Sequence, residues 1–220
     1  ALRVWKMPAR ALEAELSLES ETLAAALSPD GAFVAAGIDG GRIALWEPGR
    51  STAAARLNYW STHPRALEFA RDGASFWAAD YGRTISRWSA PGGQRLAALS
   101  GHTASARALR AFSDGRLLSA GSDGALRLWS PDGLKLKTLR GHRGPVWALA
   151  LSGDEKLALS GGHDGTVRLW ELETGRALAS WSAHGSPVTA VAFSSDARRA
   201  LTGAWDGPAR SWELSAARAA

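Results

Sequence analysis

Cysteine is absent from this chain of 220 residues. That excludes disulfides, thiol catalysis, thiolate–metal sites and haem attached through cysteine. It leaves the redox compartment open, since a cysteine-free protein is tolerated in any. Also missing is an apolar run near the ~20 residues that a membrane helix needs. The opening ALRVWKMPAR has positive charges with no apolar stretch behind them, so no signal peptide or membrane segment is visible and no membrane insertion is expected. A leader already removed would leave no trace, and the compartment stays unassigned. Neither a GxxxxGK[ST] phosphate loop nor a GxSxG nucleophile elbow occurs. The carboxylates are scattered, many of them in turns, so no catalytic pair of acids stands out. No cofactor is implied.

Positive charge is present but not gathered. Lysine is scarce beside arginine, the net charge is +5, and Arg65, Arg71, Arg83, Arg107, Arg116 and Arg143 are spread along the chain. A nucleic-acid binder usually collects such charge in a patch or tail, so nucleic acid is not the expected partner. The Ala- and Arg-rich composition suggests a bacterial type. Hydrophobic residues at 45% and charged ones at 21% are ordinary for a folded globular domain.

Tryptophan is what the chain has in abundance. Six of its 11 stand at Trp5, Trp46, Trp88, Trp129, Trp170 and Trp212, at intervals of 41 or 42 residues. A fixed period of this length marks a repeat architecture. The surroundings recur too, most clearly in GSDGALRLW (121–129) and GHDGTVRLW (162–170), and more loosely in GIDGGRIALW (37–46), ADYGRTISRW (79–88) and AWDGPARSW (204–212). Each joins two β-type runs through a turn centred on Asp-Gly or a relative, a hairpin signal because Gly takes positive φ at little cost. VTAVAF (188–193) alternates as a half-buried strand does, and the polar turn SSDARR and the run ALTGA follow it. Matching turns are SPDG (28–31), ARDG (70–73), FSDG (112–115) and SGDE (152–155), and a further strand such as KLKTL (135–139) or RALASW (176–181) completes a unit. Four short strands per repeat predict an all-β propeller of four-stranded blades.

With Gly101-His102 and Gly141-His142 followed by Asp123…Trp129 and Asp164…Trp170, the chain resembles the WD-repeat β-propeller family over 1–214, leaving 215–220 as a C-terminal tail. The resemblance implies a structural hydrogen-bond relay in which a His ahead of the unit, a Ser or Thr on its second strand, the turn Asp and the Trp bond in series. The third full unit offers His102, Ser119, Asp123 and Trp129; the fourth His142, Ser160, Asp164 and Trp170; the fifth His184, Thr202, Asp206 and Trp212. Such a relay gives partners to polar groups that would otherwise be buried without them. The first two units depart from the pattern. One has Asp39 and Trp46 with Ala35 at the hydroxyl position; the other has Asp80 and Trp88 with Phe76 there, and His63 lies too near the next strand to count. These two are expected to rest on apolar packing, with Trp60 and Trp77 filling space. Three His–hydroxyl–Asp sets look like hydrolase triads, but a catalytic set occurs once, in a cleft. A set that recurs at the blade period is structural, and no enzyme is expected.

Two ring arrangements remain open. LRVWK (2–6) matches the third strand of a blade, ALEAELSL (11–18) an outermost strand, and five full units follow. Either 11–18 completes the blade begun at 183–214 and closes a five-bladed ring, removing the sheet edges, or the chain is a segment of a longer, seven-bladed ring. The mid-blade start favours the second, and a companion chain could then complete the ring.

Members of the family act mostly as scaffolds that meet partners on the narrow face. The resemblance brings two positions per unit to that face: the residue before the turn Asp (Ile38, Ala79, Ser122, His163, Trp205) and one early in the first strand (Leu23, Arg65, Arg107, Trp147, Thr189), the slot of Arg107 needing a one-residue insertion. Trp147, His163, Thr189 and Trp205 form the expected hot spot, unless the two indoles pack on neighbouring blades, and Arg65 and Arg107 favour an acidic partner. His163 has no second His or carboxylate cluster beside it, so no metal site is expected. The expectation is a protein-interaction scaffold that binds a peptide or protein on this face. The alternative is an accessory propeller segment of a larger enzyme or electron-transfer protein whose chemistry lies outside this chain.

Overall fold

The computed structural model describes residues 1–16, 18, 21–50, 55–58 and 63–214; Trp60 and the tail 215–220 lie outside the described residues. Every regular element among them is a strand, so no helix is long and apolar enough to cross a membrane. Strands β1 (Leu2–Lys6) and β2 (Ala11–Leu16) pair, among the described residues, only with each other. The first unit is β3 (Thr22–Leu27), β4 (Val34–Ile38), β5 (Arg42–Trp46) and β6 (Ala55–Asn58). The second is β7 (Pro64–Phe69), β8 (Ser75–Asp80), β9 (Thr84–Ser89) and β10 (Arg95–Ser100). The third is β11 (Ala106–Ala111), β12 (Leu117–Gly121), β13 (Ala125–Trp129) and β14 (Lys135–Arg140). The fourth is β15 (Val146–Leu151), β16 (Leu157–Gly162), β17 (Thr166–Glu171) and β18 (Ala177–Ser182). The fifth is β19 (Val188–Phe193), β20 (Arg199–Ala204) and β21 (Arg210–Glu213). Units one to four are four-stranded antiparallel sheets in chain order, and the fifth has three strands among the described residues. This is the all-β blade architecture that the repeat predicts.

The pairing of β2 with β1 corrects one of the two ring arrangements: among the described residues, β2 does not complete the sheet of β19–β21. The reason is local. Only residues 7–10 separate β1 from β2, and closing so short a loop costs less entropy than a pairing across the whole chain.

First strands of successive units pack side by side, β3 on β7, β7 on β11, β11 on β15 and β15 on β19. A unit buries its apolar face only against its neighbour. Thus Val146 and Leu149 join Leu118, Leu126 and Leu128 of the preceding unit, and Val188 and Val191 join Leu159, Val167 and Leu169. Trp77 is buried with Ile85, Leu109 and Trp129 between the second and third units. Close approach demands small residues at one position, nine before each repeat Trp: Gly37, Ala79, Ala120, Gly161 and Gly203. A Cβ on Gly161 would lie 2.5 Å from Val188 Cγ1, and one on Gly37 2.6 Å from Pro64 Cβ.

Strand register corrects the reading of the first two units. In all five units the hairpin between second and third strands is centred six residues before the repeat Trp, at Gly40, Gly82, Asp123, Asp164 and Asp206. Asp39 and Asp80 lie upstream of that centre, so counting back from them misplaces the hydroxyl position. Ala36 faces Ala44 and Ala78 faces Ser86, as Ser119 faces Arg127; Ala35 and Phe76 do not hold that slot. Register follows the apolar face turned to the core, and a slip of one residue would turn every side chain over.

Each first strand also carries a bulge after its first residue: the register shifts between Thr22 and Ala24, Pro64 and Ala66, Ala106 and Ala108, Val146 and Ala148, and Val188 and Ala190. The extra residues are Leu23, Arg65, Arg107, Trp147 and Thr189. A bulge leaves one residue unpaired and re-aims its side chain.

Candidate partner-binding face

Two positions per unit build one continuous strip. The first is the bulge residue. The second stands seven before the repeat Trp, at the rim of the hairpin: Asp39, Tyr81, Ser122, His163 and Trp205. Ile38 and Ala79, expected at the rim, are instead 8% and 0% exposed within β4 and β8. Their units were aligned on an Asp that is displaced from the turn centre.

In the second, third and fourth units the two positions touch. The Arg65 guanidinium carbon lies 4.2 Å from the centre of the Tyr81 ring. Arg107 Nε donates to Ser122 Oγ at 2.7 Å. The Trp147 and His163 rings meet edge-on, with centres 5.2 Å apart. Between units, Arg107 stands 5.5 Å over the Trp147 ring, and Trp147 lies 5.0 Å from Trp205. Thr189 Oγ1 donates to the Gly203 carbonyl at 3.3 Å. Thr189 also shares with Arg107 and Trp147 the wall of a cavity of about 280 Å3 between the first strands. The structure therefore brings Arg65, Arg107, Trp147, His163, Thr189 and Trp205 into one neighbourhood.

Trp147 packs among Arg107, His163 and Trp205 and is half-buried, whereas Trp205 remains 70% exposed. The Trp147 indole N–H is buried and has no acceptor among the described residues. Burial, and then the neighbouring charge of Arg107, push the pKa of Arg65 below its ordinary value. Three further residues extend the strip. Tyr81 is 44% exposed, and His63 meets it edge-on at 5.5 Å while its Nε2 lies 2.8 Å from Asp39 Oδ1. His63 thus links two units through the strip rather than through a relay. The constant offset from the repeat Trp was the sequence signal that would have found Tyr81 and Asp39.

The relay residues lie deeper. His102 Nε2 is 2.8 Å from Ser119 Oγ, Trp129 Nε1 donates to the same oxygen at 2.8 Å, and His102 Nδ1 is 3.1 Å from Asp123. In the fourth unit the corresponding distances are 2.7 Å from His142 to Ser160, 2.8 Å from Trp170 and 3.1 Å from His142 to Asp164. In the fifth they are 2.8 Å from His184 to Thr202, 2.9 Å from Trp212 and 3.0 Å from His184 to Asp206. Ser119, Ser160 and Thr202 are buried acceptors of an indole N–H, so none is presented as a nucleophile. Sequence reasoning missed Arg127, two before its Trp, which is buried with Nη1 2.7 Å from Asp123 Oδ2. Arg168 and Arg210 occupy the same position, and Arg210 Nη1 donates to the Ala183 carbonyl at 2.6 Å. In the first unit, which has no hydroxyl, Trp46 Nε1 donates to the Arg50 carbonyl at 2.6 Å.

Burial is the largest influence on His102 and His142 and holds both below the ordinary 6.5. Burial alone would raise Asp123 and Asp164. The backbone N–H groups of Thr103 and Arg143, aided by His102 and by the Thr166 hydroxyl, outweigh it and bring both carboxyls to about 2.

The family described as "WD domain, G-beta repeat" matches residues 93–130, 133–171 and 175–212, just over half of the chain. These stretches contain the repeat Trp of each of the three complete relays. Among similar proteins, eukaryotic translation initiation factor 3 subunit I of Scheffersomyces stipitis is 39% identical over 87 residues, covering 39% of this chain and 25% of that protein. The same-named protein of Neurospora crassa is 36% identical over 85 residues, covering 38% of this chain and 25% of that protein. The CCR4-associated factor 4 homolog of Candida glabrata is 35% identical over 114 residues, covering 46% of this chain and 19% of that protein. The match thus spans a quarter or less of each relative's length. The translation-factor relatives are eukaryotic by name, against the bacterial type expected from composition; Ala and Arg content follows genome base usage as much as lineage.

Proposed function

The chain belongs to the WD-repeat family, and from that premise we propose that it is a protein-interaction scaffold that takes a peptide or protein partner on the bulge-and-turn strip. The observation that carries this reading is the contiguity of Arg107, Trp147, His163 and Trp205, with Trp205 mostly exposed beside a half-buried Trp147. Interface centres are enriched in Trp, Tyr and Arg, and an anchor works best where close packing excludes water around it. Relatives named as a subunit of an initiation factor support a place in an assembly. The His–hydroxyl–Asp sets serve packing in this reading, and the scaffold carries out no chemistry of its own.

A pull-down from cells that express the protein tests the site. The tagged Trp147→Ala/Trp205→Ala protein is expected to recover partner at roughly a tenth or less of the wild-type level. Undiminished recovery removes the strip as the binding site.

A further inference from the structure

Charge is divided unevenly along the strip. Arg65 and Arg107 fill the bulge slots of two adjacent units, while the slots that follow hold Trp147 and Thr189. Among the described residues neither guanidinium is in an ion pair with a carboxylate. The Arg65 head group lies over Tyr81 and that of Arg107 over Trp147, and no hydrogen bond to an Nη of either is seen among the described residues. Ser122 Oγ accepts from Arg107 Nε and lies 3.0 Å from Ser105 Oγ. Of the turn carboxylates beside the strip, Asp39 lies against His63, Asp80 accepts from the Gly82 N–H, and Asp123 is held by His102 and Arg127. Among the described residues, two like charges are thus held near each other without a paired counter-charge, and the buried Trp147 N–H beside them lacks an acceptor.

Resting on the reading of this strip as the partner site, we propose that its occupant is an acidic peptide segment, with carboxylates on Arg65 and Arg107 and an aromatic or aliphatic side chain against Trp147 and Trp205. A planar guanidinium fork matches a carboxylate, and a charge-assisted pair is roughly twice as strong as a neutral hydrogen bond. The apolar half of the strip supplies the area that a charge pair alone does not. A nucleic acid would need cations repeated along its phosphates, and only two of the ten bulge and turn positions are cationic.

The test pans a phage library of short random peptides on the whole chain and measures the enriched sequences as labelled synthetic peptides. Two or more Asp or Glu near an aromatic or Leu residue are expected in the enriched set, with affinity falling as salt rises. Arg65→Gln/Arg107→Gln should weaken binding roughly tenfold or more, Arg107→Lys should keep the charge but restore only part of the binding because it lacks the guanidinium fork, and Arg65→Glu/Arg107→Glu should bind the same peptides once Lys replaces their acids. A merely structural role for the arginines would not produce that exchange of specificity, and thermal melts show that the variants fold. Enriched peptides that depend on Trp147 and Trp205 but carry no acid, or ignore the arginine changes, overturn this inference and leave the strip as the partner site. No enrichment, or peptides indifferent to both pairs of changes, overturns both. A phosphoserine peptide or a uridine oligonucleotide that binds roughly tenfold more tightly than every acidic peptide overturns the carboxylate assignment.

Discussion

The indole of Trp205 stands 5.0 Å from that of Trp147, with the two ring planes inclined at 53°, and the contact joins the bulge of β15 to the β20–β21 turn of the next unit. It is a contact between units made on the surface, and it distinguishes these two indoles from the repeat tryptophans in the core.

That distinction predicts a split in stability. Trp170 is 1% exposed, so Trp170→Ala should cost about 3–5 kcal/mol. Trp205→Ala should cost under about 1 kcal/mol, because little packing is lost on a mostly exposed ring. Urea unfolding of the two variants checks the contrast, and equal losses would contradict the placement of Trp205 on the face.

Ser160 accepts the Trp170 indole N–H and is paired with His142 Nε2. Ser160→Ala would leave both groups buried with one partner fewer, a loss of about 1–3 kcal/mol. Trp170→Phe removes the same indole donor, so a double-mutant cycle should show coupling of about 0.5 kcal/mol or more between the two changes. Strict additivity would mean that the hydrogen bond contributes nothing.

Stability should fall in two steps as pH drops. His102 and His142 are held below 6.5 in the folded chain, so the unfolded chain takes up those protons first. Their share of stability is full above about 6.5 and is lost as pH falls toward the folded-state values. Asp123 and Asp164 sit at about 2 against an ordinary 3.8, so their share is full above 3.8 and is lost as pH falls through about 2. Melting temperatures recorded across both windows test this. Asp164→Asn should lower the melting temperature at neutral pH while shrinking the second step, and an unchanged second step would count against the assignment.

Gly161 marks one of the tight contacts between units. Its substitution by Ala puts a methyl group 2.5 Å from Val188 Cγ1, which forces the fourth and fifth units apart. Gly161→Ala should destabilise by about 1–3 kcal/mol, and Gly161→Ala/Val188→Ala should recover part of the loss. Gly203, where an added Cβ would sit 3.7 Å from Ala190 Cβ, should tolerate Ala far better. Chemical denaturation of the three variants gives the order.

The relays of the last three units were legible because their Asp stands at the hairpin centre and their His, hydroxyl and Trp keep a constant spacing around it. The first two units misled for a physical reason. Their hairpins have the same length, but a Gly replaces the central Asp, and an Asp one or two residues upstream imitated it. That displacement put Ile38 and Ala79 on the rim in place of Asp39 and Tyr81. It did not affect His163 or Trp205, whose units carry the central Asp.

The sequence by itself determined the period and the hairpin within each period, because these follow from local turn chemistry and from a spacing that one chain can display. Only the tertiary structure decided that Arg107 lies over Trp147, that Trp147 meets Trp205, that His63 reaches Asp39 and that β2 joins β1. Each of those contacts lies between strands or units whose relative placement is set by a bulge, a packing distance or a choice of pairing partner, and no local pattern encodes such a choice.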